Sequence, residues 1–214
     1  MRATHWITTL CFFALVVSGV EIVISHPRFY WGETGNVLTP PLFQLPIPAS
    51  RAAVRTGYGF VLPDQNGWSR SLHFQAAWAA VLTGMLYILS GVFSRHFRKN
   101  LLPAGSGLNG AAFWRAIAHE RDAGSYNVIQ RLTYLGVIFV LFPLMIWTGL
   151  AMSPAVVSAF PAAMSVFGGQ QSARTIHFFG TALLALFLLV HVVMVYRAGF
   201  RKRTRAMITG KEHS

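Results

Sequence analysis

Acidic residues are the scarcest chemical group in this sequence, because only 6 of its 214 residues are Asp or Glu. All charged residues together make up 11% of the chain, whereas a soluble domain carries about 25%. Hydrophobic residues reach 54%, so the chain has too little polar surface to cover a water-soluble fold. The composition therefore excludes an ordinary soluble enzyme and a disordered chain, and it predicts a membrane protein.

Cysteine is also nearly absent. Cys11 stands alone inside an apolar run, so the sequence allows no intramolecular disulfide and no CxxCH haem-attachment motif. We expect Cys11 to be an inert packing residue.

Four apolar stretches are each long enough to cross a bilayer as a helix of about 20 residues. Met1-Arg2 before the first stretch also fits a signal peptide, but no A-x-A-like cleavage site follows, so we favour a membrane helix. The sequence therefore predicts one all-α domain, an integral membrane four-helix bundle. The predicted helices cover about residues 5–24, 72–93, 128–152 and 175–196.

The distribution of Lys and Arg predicts the orientation of the bundle. If the N-terminus is cytoplasmic, 12 of the 18 basic residues lie on that side and 5 on the other, with Arg131 just inside the third helix. Positive charge concentrates in cytoplasmic loops, so both termini are expected in the cytoplasm. The same bias explains the net charge of +12 without nucleic acid as a partner.

The connections predicted by this topology differ in length and composition. The first outer loop is rich in proline, so a regular helix is not expected there, and its 46 residues are the expected docking surface for a partner. The inner loop is expected to hold a short interfacial helix around residues 110–119, and the basic tail is expected to lie on the anionic inner leaflet. The connections are an outer loop 26–71, an inner loop 94–127, an outer loop 153–172 and a cytoplasmic tail 197–214.

Small-residue pairs recur in all four apolar stretches. One interpretation is close packing between helices, and the other is room for a flat, bulky cofactor against the backbone. On the second interpretation Gly19, Gly84 and Gly180 are candidate cofactor contacts. The pairs are Ser18-Gly19, Thr83-Gly84, Thr148-Gly149 and Gly180-Thr181.

Four of the eight histidines lie in the apolar stretches, where ionisable residues are rare and usually functional. His177 and His191 are 14 residues apart, which is about 21 Å along a helix with both side chains on nearly the same face. The predicted topology sorts the four by depth. It pairs His5 with His191 near the inner surface and His73 with His177 near the outer surface.

Two facing histidines in an apolar bundle can fill both axial positions of a b-type haem. Such a haem has no open position for dioxygen, so the expected chemistry is electron transfer. A metal site would need its ligands clustered at one depth, and a proton relay would mix His with Asp or Glu, of which only Glu21 is intramembrane. His26 is a rival ligand at the outer level, although an interfacial role suits its position before Pro27 better.

Two arginines lie one turn before the outer histidines. Arg70 precedes His73 by three residues, and Arg174 precedes His177 by three. Both are candidates to contact the anionic propionates of an outer haem, and interfacial anchoring is the alternative.

These residues carry a resemblance to a known superfamily. With His5-Trp6, His73 at the start of the second helix and the His177/His191 pair, the chain resembles bacterial cytochrome b561, Ni,Fe-hydrogenase-type cytochrome b and the formate dehydrogenase gamma subunit over essentially its whole length. In that superfamily these positions hold two b haems. The resemblance therefore implies two haem b, with the same pairing.

Three segments resemble a narrower group, the thiosulfate reductase cytochrome b subunits. Members of that group accompany a periplasmic molybdopterin-dependent oxidoreductase of the sulfite oxidase type. The resemblance implies that electrons pass between such a partner and the quinone pool of the bacterial inner membrane. The segments are HPRFYWGETGN, SLHFQAAW and GGQQSARTIHFF.

The expected function is a membrane-bound, di-haem cytochrome b that connects quinone to a redox partner on the outer face. One alternative is a membrane anchor subunit with one or no haem, which a haem count would separate. Another is a stand-alone superoxide:quinone oxidoreductase, which would be active without any partner.

Overall fold

The computed structural model describes residues 2–36, 38–47, 66–97 and 128–210. Four of its helices are long and apolar enough to cross a membrane, which confirms the prediction of an all-α membrane bundle. In chain order the elements are α1 (Arg2–Ser25), β1 (Arg28–Phe29), β2 (Phe43–Gln44), α2 (Asn66–Phe93), α3 (Val128–Gly136), α4 (Phe142–Ala151), α5 (Pro154–Ala159), α6 (Ala162–Ser165), α7 (Gln170–Arg197) and α8 (Phe200–Thr209).

The third membrane helix consists of α3 and α4, joined by a π-helical turn over Val137–Leu141. In this turn the amide of Phe142 donates to the carbonyl of Val137, five residues back. Pro143 follows at once and has no N–H to donate. The wider turn is a local adjustment of the kind that lets a membrane helix accommodate a proline.

The membrane helices form two antiparallel hairpins. The first helix, α1, packs along the second, α2, and the third helix packs along the fourth, α7. We call the end of the bundle with Arg2 and Arg197 the inner end and the opposite end the outer end. His5 of the first helix meets His191 of the fourth at the inner end, so these two helices also run antiparallel.

The bundle has its apolar side chains outside and small side chains inside. Leu10, Leu82 and Leu186 are more than half exposed, whereas Ser18 and Thr148 are fully buried. Lipid replaces water around such helices, so small interfacial residues allow close approach and the large apolar ones face the acyl chains. Cys11 is buried with a free thiol, as expected of a packing residue.

The helices extend further than the apolar stretches. The second helix begins at Asn66 rather than at residue 72, and the fourth begins at Gln170 rather than at residue 175. Hydropathy detects only the part of a helix inside the bilayer. The polar residues of these first turns therefore escaped the sequence-based bounds.

A short antiparallel hairpin lies in the first outer loop, where the sequence predicts only the absence of a regular helix. Arg28 pairs with Gln44, and Phe29 pairs with Phe43. Phe29 is 1% exposed and stacks on Phe43 at 4.6 Å between ring centroids. Phe178 of the fourth helix lies 4.5 Å from Phe29. We call residues 26–36 and 38–47 the outer hairpin.

The second outer connection is more ordered than predicted. Residues 153–172 were expected to form a loop, but they contain α5, α6 and the first residues of the fourth helix. Pro154 and Pro161 stand at the starts of the two short helices, where a fixed φ and a missing N–H cost nothing.

The basic tail forms a helix, α8, that returns to the start of the chain. Trp6 Nε1 donates to the carbonyl oxygen of Met207 at 3.4 Å. The guanidinium of Arg2 lies against Gly210, where an added Cβ would overlap it. The interfacial helix expected around residues 110–119 lies outside the described residues.

Candidate functional site

Two histidine rings face each other at the outer end of the bundle. His73 near the start of the second helix and His177 near the start of the fourth have ring centroids 6.3 Å apart, at an interplanar angle of 58°. The second helix belongs to one helical hairpin and the fourth helix to the other, so the rings lie between the two hairpins.

A buried hydroxyl holds each of these rings. Ser18 Oγ lies 2.9 Å from Nδ1 of His73, and Thr148 Oγ1 lies 2.8 Å from Nδ1 of His177. Both hydroxyl groups belong to fully buried residues, and they come from the helices that precede each histidine in the chain.

The hydrogen bonds of the two hydroxyls favour one tautomer of His73 and of His177. Ser18 Oγ donates to the carbonyl of Ala14 at 2.7 Å, and Thr148 Oγ1 donates to the carbonyl of Leu144 at 2.8 Å. A hydroxyl has one proton and two lone pairs. With that proton on the carbonyl, each oxygen accepts from an Nδ1–H, which leaves the Nε2 lone pair of His73 and of His177 for a metal.

The glycine that follows each hydroxyl lies against the same ring. A Cβ added at Gly19 would lie 3.6 Å from Cε1 of His73, and one at Gly149 would lie 3.6 Å from Cε1 of His177. The Ser18-Gly19 and Thr148-Gly149 pairs therefore perform the same task in the two hairpins.

The other two candidate glycines differ. At Gly180 an added Cβ would meet the sulfur of Met145 at 2.5 Å, so Gly180 allows the third and fourth helices to approach closely. At Gly84 an added Cβ meets no atom of the described residues within 4 Å, so the described residues leave open space there.

A second pair of histidines lies at the inner end. The ring centroids of His5 and His191 are 6.4 Å apart. Trp6 contacts His5 edge-on at 5.4 Å, and Phe187 stacks on His191 at 5.9 Å. The hydroxyl of Tyr134 lies 3.2 Å from Nδ1 of His191.

The third and fourth helices match each other along their length. Tyr134 and Thr148 are 14 residues apart on the third helix, as are His177 and His191 on the fourth. Because the helices are antiparallel, Tyr134 reaches His191 and Thr148 reaches His177. The fourth helix is continuous from Gln170 to Arg197, so its two histidines are about 21 Å apart along the axis.

The comparison with known families covers almost the whole chain. Residues 1–210 match the family model described as prokaryotic cytochrome b561. The chain belongs to the prokaryotic cytochrome b561 family. It is a multi-pass membrane cytochrome b of the prokaryotic inner membrane that takes part in electron transfer, and the superfamily resemblance is confirmed.

A curated relative from Azospira oryzae is provisionally named protein-methionine-sulfoxide reductase subunit YedZ1. It is 27% identical to the cytochrome over 203 residues, which are 91% of this chain and 87% of the relative.

The two candidate arginines of the cytochrome lie in different surroundings. Arg174 donates from Nη1 to the carbonyl of Arg28 at 3.2 Å and from Nη2 to the carbonyl of His26. Its guanidinium also lies 4.9 Å above the ring of Phe29. Arg174 therefore ties the outer hairpin to the fourth helix, whereas the side chain of Arg70 is exposed.

The outer hairpin also closes the start of the fourth helix. The amides of Gln171 and Ser172 donate to the carbonyl of Gly32, and the Ser172 hydroxyl accepts from the amide of Gly32 at 2.7 Å. Thr175 Oγ1 donates to the carbonyl of Tyr30 at 2.8 Å. These bonds satisfy amides that a helix start leaves unpaired, and they fix the hairpin two turns above His177.

Neither the rival ligand His26 nor Glu21, the intramembrane acid considered for a proton relay, is a member of a histidine pair. His26 is half-buried, and its carbonyl oxygen accepts from Arg174. Glu21 is half-buried on the first helix. Within the described ranges, no three residues of the His, Cys, Asp and Glu types converge on one point, and the histidines instead occur in two pairs.

Three hydrogen-bonding partners of the histidines escaped the sequence analysis. Ser18 and Thr148 were noted only as members of small-residue pairs, and Tyr134 was not singled out. The available signal was the repeated Ser/Thr-Gly pair together with the equal 14-residue spacing on the third and fourth helices.

Proposed function

We propose that the cytochrome binds two b haems and carries electrons across the membrane between the quinone pool and a redox partner at the outer face. The observation that carries this proposal is the pair of facing imidazoles at each end of the bundle, 6.3 Å and 6.4 Å apart between ring centroids. The whole domain, residues 1–214, serves this one task.

The spacing of the rings suits one haem in each pair. The centroid separations of 6.3 Å and 6.4 Å would leave space between the two rings of each pair for one metal, held through metal–nitrogen bonds of about 2.0 Å. The tautomer set by Ser18 and Thr148 presents Nε2 of both outer histidines. Gly84 offers room on the second helix for a flat group.

In this proposal His73 and His177 hold the outer haem, and His5 and His191 hold the inner one. A bound b haem supplies one-electron oxidation and reduction at a potential that its ligands and surroundings set. The chain orients the four imidazoles, and the apolar exterior of the helices keeps the haems within the bilayer. With two imidazoles available to hold each haem, the pairs would favour electron transfer over dioxygen binding.

The outer surface near His177 suits a soluble partner. Trp31 and Leu42 of the outer hairpin are about 60% exposed, and Leu38 is 91% exposed. The hydrogen bonds that Arg174 and Thr175 donate, and the one that the Ser172 hydroxyl accepts from the amide of Gly32, hold this surface close to the outer pair. Such a patch of exposed apolar residues beside a redox site suits a docking partner.

The expected partner is a periplasmic molybdopterin-dependent oxidoreductase of the sulfite oxidase type. The sequence resemblance implies this class, and the name of the Azospira oryzae relative, a subunit of a protein-methionine-sulfoxide reductase, supports a reductase as the partner. Arg70, whose side chain is exposed one turn before His73, is the outer arginine that we assign to a haem propionate.

Single histidine variants test the pairing. We expect His73→Ala and His177→Ala to lose the same haem, and His5→Ala and His191→Ala to lose the other. The pyridine haemochrome content of each purified protein should fall from two haems to one, and the α-band of the remaining haem should identify which pair survives.

His26→Ala is the matched control, because it removes a histidine at the outer level that lies outside the pairs. It should keep two haems. Loss of a haem in this variant, or two haems retained after His73→Ala, would contradict the assignment.

A further inference from the structure

The hydroxyls of Ser18 and Thr148 suggest a role beyond packing. Each is fully buried, each donates its own proton to a carbonyl one turn back, and each lies within hydrogen-bond distance of Nδ1 of an outer histidine. A buried serine or threonine can satisfy its hydroxyl by a hydrogen bond within its own helix alone. The additional contact with an imidazole of the following membrane helix is therefore not required by packing.

The arrangement occurs twice, once in each helical hairpin. Ser18-Gly19 meets His73, and Thr148-Gly149 meets His177, with oxygen-to-Nδ1 distances of 2.9 Å and 2.8 Å and the same 3.6 Å spacing from the glycine to Cε1. The inner pair has a different environment, since His191 meets the phenol of Tyr134 at 3.2 Å. The outer pair is therefore held by two aliphatic hydroxyls that the inner pair lacks among the described residues.

We infer that Ser18 and Thr148 are positioning residues that set the reduction potential of the outer haem separately from that of the inner one. This inference rests on the proposed function. An acceptor on Nδ1–H fixes the ring and makes the imidazole a stronger donor to its metal. A stronger donor favours the ferric form, so the two hydroxyls lower the potential of the outer haem.

Redox titration of the purified cytochrome, followed at the α-band and by electron paramagnetic resonance of the ferric haems, tests the inference. Thr148→Val and Ser18→Ala should each keep two haems and raise the potential of the outer haem. We expect about a tenfold rise in the ratio of reduced to oxidised outer haem at a fixed ambient potential, which is about 59 mV for one electron. The inner haem should titrate as in the wild type.

Conservative variants and a matched control separate positioning from packing. Thr148→Ser and Ser18→Thr retain a hydroxyl and should restore the wild-type potential. Thr181→Val is the control, because the Thr181 hydroxyl donates to the backbone carbonyl of His177 at 2.9 Å and not to its ring. It should change neither potential.

The possible results distinguish this inference from the proposed function. An unchanged outer potential in both Thr148→Val and Ser18→Ala, an equal shift of both haems, or the same shift in Thr181→Val would overturn the inference and leave the di-haem proposal intact. If Thr148→Val releases the outer haem, the Ser18 variants decide: a raised outer potential in Ser18→Ala that Ser18→Thr returns to the wild-type value supports the inference, and an unchanged potential in Ser18→Ala overturns it. A folded wild-type protein without haem would overturn both.

Discussion

Gly169 tolerates no side chain without strain. It has φ 124° and ψ 169° just before the fourth helix, a conformation that is essentially confined to glycine. A Cβ there would overlap the backbone of Gly32 in the outer hairpin. The position therefore combines a backbone requirement with a close approach between two segments.

Gly169→Ala should lower the free energy of unfolding by about 2 kcal/mol or more, because strained backbone alone costs about 1–3 kcal/mol. Thermal unfolding of the detergent-solubilised protein measures the effect. Gly67→Ala is the matched control, since a Cβ there meets nothing within 4 Å. If Gly169→Ala and the control Gly67→Ala have equal thermal stability, a side chain at position 169 does not clash with the outer hairpin.

At this scale the sequence predicts the histidines better than their partners. His177 and His191 lie on one helix, so their relative direction follows from 3.6 residues per turn alone. The contact of Thr148 with His177 depends on how two helices rotate against each other. A repeated small-residue pair cannot specify that rotation, and it fits helix packing as well as ring positioning.

The elements at the outer end show how tertiary contacts change the roles that the sequence predicts for single residues. From its place one turn before His177, Arg174 was a candidate propionate contact. The structure instead engages its guanidinium with two carbonyls and an aromatic face of the outer hairpin. The hairpin itself is a two-residue ladder, which is too short for period-two alternation to reveal.

Arg174→Gln should loosen the outer hairpin without removing a haem. Hydrogen bonds to charged groups contribute about 1.5–3 kcal/mol, so residues 26–47 should become more sensitive to limited proteolysis. Arg70→Gln should have the opposite effects. The outer hairpin should stay resistant to limited proteolysis, and the reduction potential of the outer haem should shift. Loss of the outer haem in Arg174→Gln would instead assign the propionate to Arg174.

For the whole molecule, composition and charge establish most of the architecture. Hydropathy locates four helices, and the described residues contain four helices able to span a membrane. The short helices of residues 154–165 were not predicted. This segment is apolar throughout, so it lacks the contrast between apolar and polar residues that marks a helix at the membrane surface. The orientation stays a prediction, which depends on the 12 basic residues assigned to the cytoplasmic side.

Reporter fusions test that orientation. Green fluorescent protein at the C-terminus should fluoresce, because it folds in the cytoplasm. Alkaline phosphatase inserted after Leu38, which is 91% exposed in the outer hairpin, should be active, because it requires the periplasm. An inactive phosphatase together with a non-fluorescent C-terminal fusion would show that the bundle has the opposite orientation, with the docking surface in the cytoplasm.

The most direct test of the central claim is the haem content of the intact cytochrome. A dithionite-reduced-minus-oxidised spectrum, with pyridine haemochrome quantification per chain, should give two b haems. Folded protein that was supplied with haem and yet contains none would contradict the account, and it would leave the two histidine pairs without the electron-transfer role proposed for them.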